Sequence, residues 1–158
     1  MRRSAQRASG DPSTWLSYAG HVKVLVVGCG RVGSAVALDL SSQGWDVSVI
    51  DEREDSLGRL GDAWSGGFFI GQGIDLQLLR QAGIEDADAV VVTTDGDNTN
   101  IVIGQVAQKM FGIDSVVVRL LDPARAEFYR TRGLNIVCPT SSAIAGVIEA
   151  VHAYQGAT

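Results

Sequence analysis

Val22-Lys23-Val24-Leu25-Val26-Val27-Gly28-Cys29-Gly30-Arg31-Val32-Gly33 is the stretch that decides the fold of this chain. An apolar run enters Gly-x-Gly-x-x-Gly, a helical pattern follows, and a second apolar run, Val47-Ser48-Val49-Ile50, ends on Asp51. That order, with the acid eighteen residues past Gly33, is the dinucleotide-binding fingerprint in its proper structural context. Gly28 permits the tight turn off the strand. Gly30 lets backbone approach a pyrophosphate, and Gly33 lets the helix pack close against the sheet. The pyrophosphate is then expected on the unpaired N–H groups at the positive end of the helix.

Working outward, strand and helix patterns alternate from Val22 to the end. Strands are expected over 22–27, 46–50, 67–71, 88–92, 115–119 and 135–138. Helices are expected over 31–43, 53–64, 75–82, 97–111, 123–132 and 141–154. Near-continuous Val/Ile/Phe runs in four strands suit a parallel sheet with helices on both faces. The expected fold is therefore α/β: a doubly wound, Rossmann-like parallel sheet of six strands, ordered 3-2-1-4-5-6. Val32, Val36 and Leu40 recur at fourfold spacing on the first helix, with Ala35 beside the turn, and read as its core stripe. Residues 1–20 are small, polar and basic around Gly10-Asp11-Pro12-Ser13 and read as a mobile tail.

Bulk properties narrow the function. The chain has 158 residues, 46% hydrophobic and 20% charged, enough for one globular domain with its own core. Its net charge of −5 speaks against nucleic acid as a partner. Two cysteines, Cys29 and Cys138, form neither a disulfide framework nor a metal spacing. No apolar run approaches the roughly 20 residues of a bilayer span. No apolar segment follows the N-terminal arginines, as a secretion signal would require. A cytoplasmic location is expected, with no direct membrane insertion.

At the strand ends, Asp51 is placed to accept hydrogen bonds from the adenosine ribose and to repel a 2′-phosphate. Arg53, two residues on, weakens that exclusion or lies against an adenine ring. Arg31 either reaches phosphate oxygens or points to solvent or a partner subunit. Gly71-Gln72-Gly73-Ile74-Asp75 brings backbone near a ligand, the adenine, with Asp75 capping the next helix. Thr93 and Thr94 leave the fourth strand at the crevice where strand order reverses and are read as ligand contacts. Asp97 and Asn98 read as caps for the helix that follows. Arg119 ends a buried strand and needs a partner, either a phosphate or an acid across a subunit contact. Cys29 reads as a small packing residue rather than a nucleophile.

Machinery for turnover is missing from the sequence. His21 and His152 flank the folded region, so no His-centred acid/base device is evident. None of Tyr18, Tyr129 or Tyr154 is followed four residues later by Lys, which excludes that dehydrogenase pair. A Gly-Lys-Ser/Thr phosphate loop is also absent. Counted on this chain, too few residues follow the sixth strand for a second catalytic domain. The expectation is a nucleotide binder that is not an enzyme. The alternative is an NAD-dependent oxidoreductase fragment lacking its substrate domain.

Several spaced motifs carry a more specific resemblance. Gly28–Gly33, Asp51, Gly71-Gln72-Gly73, Leu79-Arg80-Gln81-Ala82-Gly83-Ile84-Glu85-Asp86-Ala87-Asp88-Ala89, Asp97-Asn98-Thr99-Asn100, Arg119, Asp122-Pro123 and Arg132-Gly133-Leu134-Asn135-Ile136-Val137 are all involved. Over about residues 22–150 the chain resembles the nucleotide-binding regulatory domain of bacterial potassium transport systems. That group comprises Trk/Ktr-type cytoplasmic subunits and the regulator-of-potassium-conductance domains of channels. The resemblance implies a cytoplasmic gating subunit, peripheral to the inner face of the cell membrane. Its cofactor would be NAD(H) or ATP, ADP or AMP. It would form a homodimer or higher ring beneath a membrane-embedded potassium transporter or channel subunit.

By position, the resemblance assigns Cys29, Gly30, Arg31, Val32 and Gly33 to the pyrophosphate and Asp51 to the ribose. Gly73 and Ile74 would flank the adenine, and Thr93, Thr94 and Arg119 would complete the pocket. Residues 21–140 would form the nucleotide-binding domain and 141–158 a crossover helix packed on a neighbouring subunit. Three departures stand out. The chain stops near residue 158, where many relatives continue into a second ligand domain, so a one-domain form and a fragment both stay open. Gln72 replaces a residue that is often acidic or His, and Asn98 stands where Glu is common.

Overall fold

The computed structural model describes residues 21–155, so the tail expected at 1–20 lies outside the described residues. Six parallel strands form one sheet: β1 (Lys23–Val27), β2 (Asp46–Asp51), β3 (Gly67–Ile70), β4 (Ala89–Val92), β5 (Ser115–Arg119) and β6 (Asn135–Val137). Their order is β3-β2-β1-β4-β5-β6, with every neighbouring pair parallel. Helices α1 (Arg31–Ser42), α2 (Leu76–Gln81), α3 (Asp97–Lys109), α4 (Pro123–Arg130) and α5 (Pro139–Gln155) alternate with them. The chain reverses its direction of winding between β1 and β4. In such folds a ligand crevice opens at the C-terminal ends of those two strands.

Strand periodicity builds a core on each face. Leu25, Val27, Ile50, Val90 and Val92 point to the larger cluster, joined by Leu79, Ile84, Ile103 and Leu120. Val24, Val26, Val47 and Val49 point to the smaller one, with Ala37, Leu60 and Cys29. Adjacent residues of one strand thus serve opposite layers, as a sheet covered on both sides requires. Each fully buried aliphatic side chain contributes about 1.5–3 kcal/mol of transfer free energy.

Two expectations about helices are corrected. The segment expected as a helix over 53–64 forms only a 3-10 helix, Glu54–Arg59, with Arg53 extended before it. Gly58 falls within this turn and Gly61, at φ 77°, bends the chain out of it, so no α-helix propagates. On α1 the sheet-facing residues are Gly33, Ser34 and Ala37, while Val32 and Ala35 are exposed. Close approach at Gly33 selects the face with the smallest side chains, so of the expected stripe Val32 is exposed, Val36 is partly buried and Leu40 packs against the smaller cluster.

Two other helices, α2 and α4, begin at an aspartate cap. Asp75 caps α2, its carboxylate accepting from the N–H groups of Gln77 and Leu78. Asp122 caps α4 by accepting from Arg125 N–H, with Pro123 in the first turn. Among the described residues no helix is long and apolar enough to cross a membrane.

Candidate functional site

Two loops meet at the reversal point. Gly28 leaves β1 at φ 100°, and a Cβ there would lie 2.8 Å from main-chain atoms of Thr93 and Thr94. A Cβ on Gly33 would lie 1.7 Å from the Gly28 carbonyl oxygen and 2.7 Å from Thr93 Oγ1. Thr93 is buried, and its hydroxyl donates to the Gly28 carbonyl at 3.1 Å. The exits of β1 and β4 are therefore clipped together before any ligand arrives.

Gly30 differs from its neighbours. A Cβ there would meet nothing within 4 Å, so the space above the loop is an open cradle that this residue leaves unfilled. Gly30 is also the N-cap residue of α1, and among the described residues no side chain caps this helix. The first N–H groups of an α-helix have no intrahelical partner, and here they face the cradle with the positive end of the helix dipole. Arg31 and Val32 stand exposed on that same first turn.

Asp51 ends β2 within reach of the loop. Its Oδ2 accepts from the Cys29 main-chain N–H at 2.7 Å, and its Oδ1 accepts from Arg53 N–H at 2.9 Å and Ser56 Oγ at 3.0 Å. A carboxylate offers about four acceptor positions, so capacity remains for a hydroxyl of a ligand. Cys29 is fully buried and its thiol donates to the Ser56 carbonyl at 3.4 Å. Desolvation, with the Asp51 charge second, pushes this thiol up to about 11, which leaves it protonated and unreactive at neutral pH. Arg53 is exposed and forks onto Asp55, Nε to Oδ1 at 3.0 Å and Nη2 to Oδ2 at 2.6 Å.

Gly73 is buried, and a Cβ on it would come 2.3 Å from Val27 Cγ1 and 3.0 Å from Ile103 Cδ1. Packing alone therefore demands glycine here, whatever lies beside it. Ile74 next to it is half-exposed and offers an apolar surface.

On the β4 side, the Arg119 side chain is only 15% exposed and lies 3.7 Å from the exposed carboxylate of Asp95 in the same chain. Its Nη2 donates to the Thr94 carbonyl at 2.9 Å, and its Nε is buried with no partner among the described residues. An orphaned guanidinium N–H beside the crevice fits an anionic ligand. Asp95 thus gives this charge an acidic neighbour within its own chain.

Asn100 organises this side, and the sequence reading assigned it no role. It is 1% exposed; its Nδ2 donates to the carbonyls of Thr94 and Arg119, both at 2.9 Å, and its Oδ1 meets the Thr94 hydroxyl. The signal for it was present: Asn100, Ile103, Gly104 and Ala107 share the helical core spacing, which places a carboxamide on the buried face. Asp97 and Asn98 do not cap α3, whose N-cap is Gly96. Asp97 sits one residue too far along and instead accepts from the N–H groups of Leu121 and Asp122 at 2.9 and 3.0 Å. Asn98 accepts from Arg125.

The open glycine cradle, the uncapped helix, the partly committed Asp51 and the orphaned Arg119 Nε fit a phosphorylated adenosine. Among the described residues no cluster of His, Cys, Asp and Glu suits a metal ion. Fold and site together define a Rossmann-like nucleotide-binding domain. Residues 24–139 match the TrkA-N domain model, and the chain belongs to that family.

One relative is the Trk system potassium uptake protein TrkA of Streptomyces coelicolor, 46% identical over 114 residues, which cover 72% of this chain and 51% of that protein. The chain spans 51% and 58% of the length of two TrkA relatives that it matches. Among solved structures, the AMP-bound C-terminal domain of Kef from Shewanella denitrificans superposes with a TM-score of 0.70 at 27% identity, covering 84% of this chain and 81% of that one. GsuK bound to ADP gives 0.67 at 25% identity, covering 81% of this chain and 33% of that one.

Proposed function

We propose that this chain is a nucleotide-sensing regulatory subunit that gates a potassium transport system. It binds NAD(H) or ATP, ADP or AMP and does not turn them over. The observation that carries this reading is the cradle at Gly30 against the uncapped start of α1, located where the strand order reverses. Family membership supports it, as do the AMP and ADP held by the two structural neighbours. The match to TrkA supports a membrane-embedded potassium transporter or channel subunit as partner. Through that partner the domain would sit at the cytoplasmic face of the membrane.

In this reading Cys29–Gly33 hold the phosphates, Asp51 the ribose, and Gly73 and Ile74 border the adenine. Thr94 and Arg119 close the far side, with Thr93 fixing the loop. Arg31 and Arg119 meet the charge that differs most between ATP, ADP and NAD. A nucleotide shifts an assembly between two geometries only by its differential affinity for them, and about 1–3 kcal/mol of coupling is ample.

The helix α5 supports an assembled state. Ile144, Val147, Ile148 and Val151 follow helical spacing, and each is half or more exposed. Residues 141–158 would pack this stripe on a second copy, giving a homodimer or ring. The test is to titrate the chain with NAD, NADH, ATP, ADP and AMP while measuring thermal stability and assembly mass. Stabilisation that differs between nucleotides, with an accompanying change in assembly, is expected. Equal responses to all five, or sustained hydride transfer from NADH to a carbonyl panel, would overturn the proposal.

A further inference from the structure

Residues 51–55 read Asp-Glu-Arg-Glu-Asp and begin at the strand-end carboxylate that the proposed function assigns to the adenosine ribose. In Rossmann folds a nearby arginine is what accommodates a 2′-phosphate. Arg53 is well placed for that, since its own N–H is bound to Asp51 Oδ1 at 2.9 Å. Its guanidinium is nevertheless taken. Nε and Nη2 are directed at the two oxygens of Asp55, a two-point geometry that a phosphate would also need. The Arg53 pKa is held above its ordinary value, first by the hydrogen bond to Asp55 and then by that residue's charge. Both side chains are largely exposed, so the pair adds little to stability. Its effect falls on what the arginine is able to bind.

We infer that Asp55 is a specificity-determining residue: by occupying the fork of Arg53 it keeps the crevice selective for adenosines with a free 2′-hydroxyl over those carrying a 2′-phosphate. Asp51 and the added negative charge of Asp55 act in the same direction. This inference rests on the nucleotide-binding reading and assigns its selectivity to one side chain that does not itself touch the ribose.

The test compares 5′-AMP with adenosine 2′,5′-bisphosphate by calorimetric titration of the full chain, so it does not depend on a nicotinamide ring. Wild type is expected to bind 5′-AMP and to discriminate against the bisphosphate. Asp55→Asn should raise bisphosphate affinity roughly tenfold, the scale of one charge-assisted contact, with 5′-AMP affinity kept within about twofold. The double variant Arg53→Gln/Asp55→Asn, which restores the wild-type net charge, should lose that gain. An unchanged bisphosphate affinity in Asp55→Asn, with 5′-AMP bound normally, would overturn the inference. So would a gain that survives in the double variant. If folded wild type bound neither compound, the nucleotide reading itself would fall and this inference with it. Melting curves of both variants should match wild type, because the pair is largely exposed.

Discussion

The carboxylate of Asp51 accepts a 2.7 Å hydrogen bond from the main-chain N–H of Cys29, so the end of β2 grips the glycine loop that leaves β1. One side chain thus shapes the loop and offers its spare acceptor capacity to a ligand. Asp51→Ala removes both. It also leaves the Cys29 N–H and the Ser56 hydroxyl without their acceptor, at a cost of about 1–3 kcal/mol. Urea unfolding should register that loss, and NADH titration should show binding weakened at least tenfold.

Gly30 and Gly33 separate binding from folding. Gly33→Ala places a methyl group 1.7 Å from the Gly28 carbonyl oxygen, and overpacking of this kind costs about 1–3 kcal/mol or more. Gly30→Ala meets no atom of the chain, and Gly30 has an extended backbone at φ −81°. Its melting temperature should stay near wild type while nucleotide affinity collapses, because the methyl occupies the cradle. Differential scanning fluorimetry with and without AMP distinguishes the two.

Asn100→Ala withdraws both amide donors from the Thr94 and Arg119 carbonyls inside the protein. Destabilisation of about 1–3 kcal/mol is expected from the abandoned carbonyls. Arg119 should also lose its fixed position, so discrimination between ATP and ADP should narrow. Urea midpoints and paired calorimetric titrations measure the two effects.

The Cys29 thiol gives a pH signature. Its folded value of about 11 lies above the ordinary 9.0, so between these values the unfolded chain releases the proton first. Deprotonation therefore favours the unfolded state, and the contribution of Cys29 to stability is present below pH 9 and declines from pH 9 to pH 11. Cys29→Ala should flatten that decline in urea titrations. A thiol reagent at pH 7.5 should modify Cys29 only after unfolding.

Val147→Asp places a charge in the exposed stripe of α5, at a residue that is 65% exposed. Light-scattering mass should fall to that of one chain, with far-ultraviolet circular dichroism unchanged.

Strand order and the ends of β1, β2 and β4 are legible in the sequence because apolar runs, glycine spacing and one acid carry them locally. The cap at Asp75 is legible for the same reason. The short 3-10 helix after Arg53 is not, since Glu54 to Leu60 contains good helix formers and only the backbone at Gly58 and Gly61 decides the outcome. The inward face of α1 is set by the approach of Gly33 to Gly28, a tertiary distance that outweighs the valine spacing. Thr93 and Gly73 read as ligand contacts from their positions; the Thr93 hydrogen bond to the Gly28 carbonyl and the packing beside Val27 that leaves no room for a Cβ at Gly73 are not legible there. Partners distant in sequence, such as Asn100 with Arg119 or Asp97 with Leu121, emerge only once the crossovers are closed.

The most direct test is calorimetric titration of the full chain with AMP, followed by the same titration of Gly30→Ala. A saturable one-site heat in wild type, abolished in a variant that melts at the same temperature, is the predicted result. A folded wild type giving no heat with AMP, or equal binding by Gly30→Ala, would contradict the account.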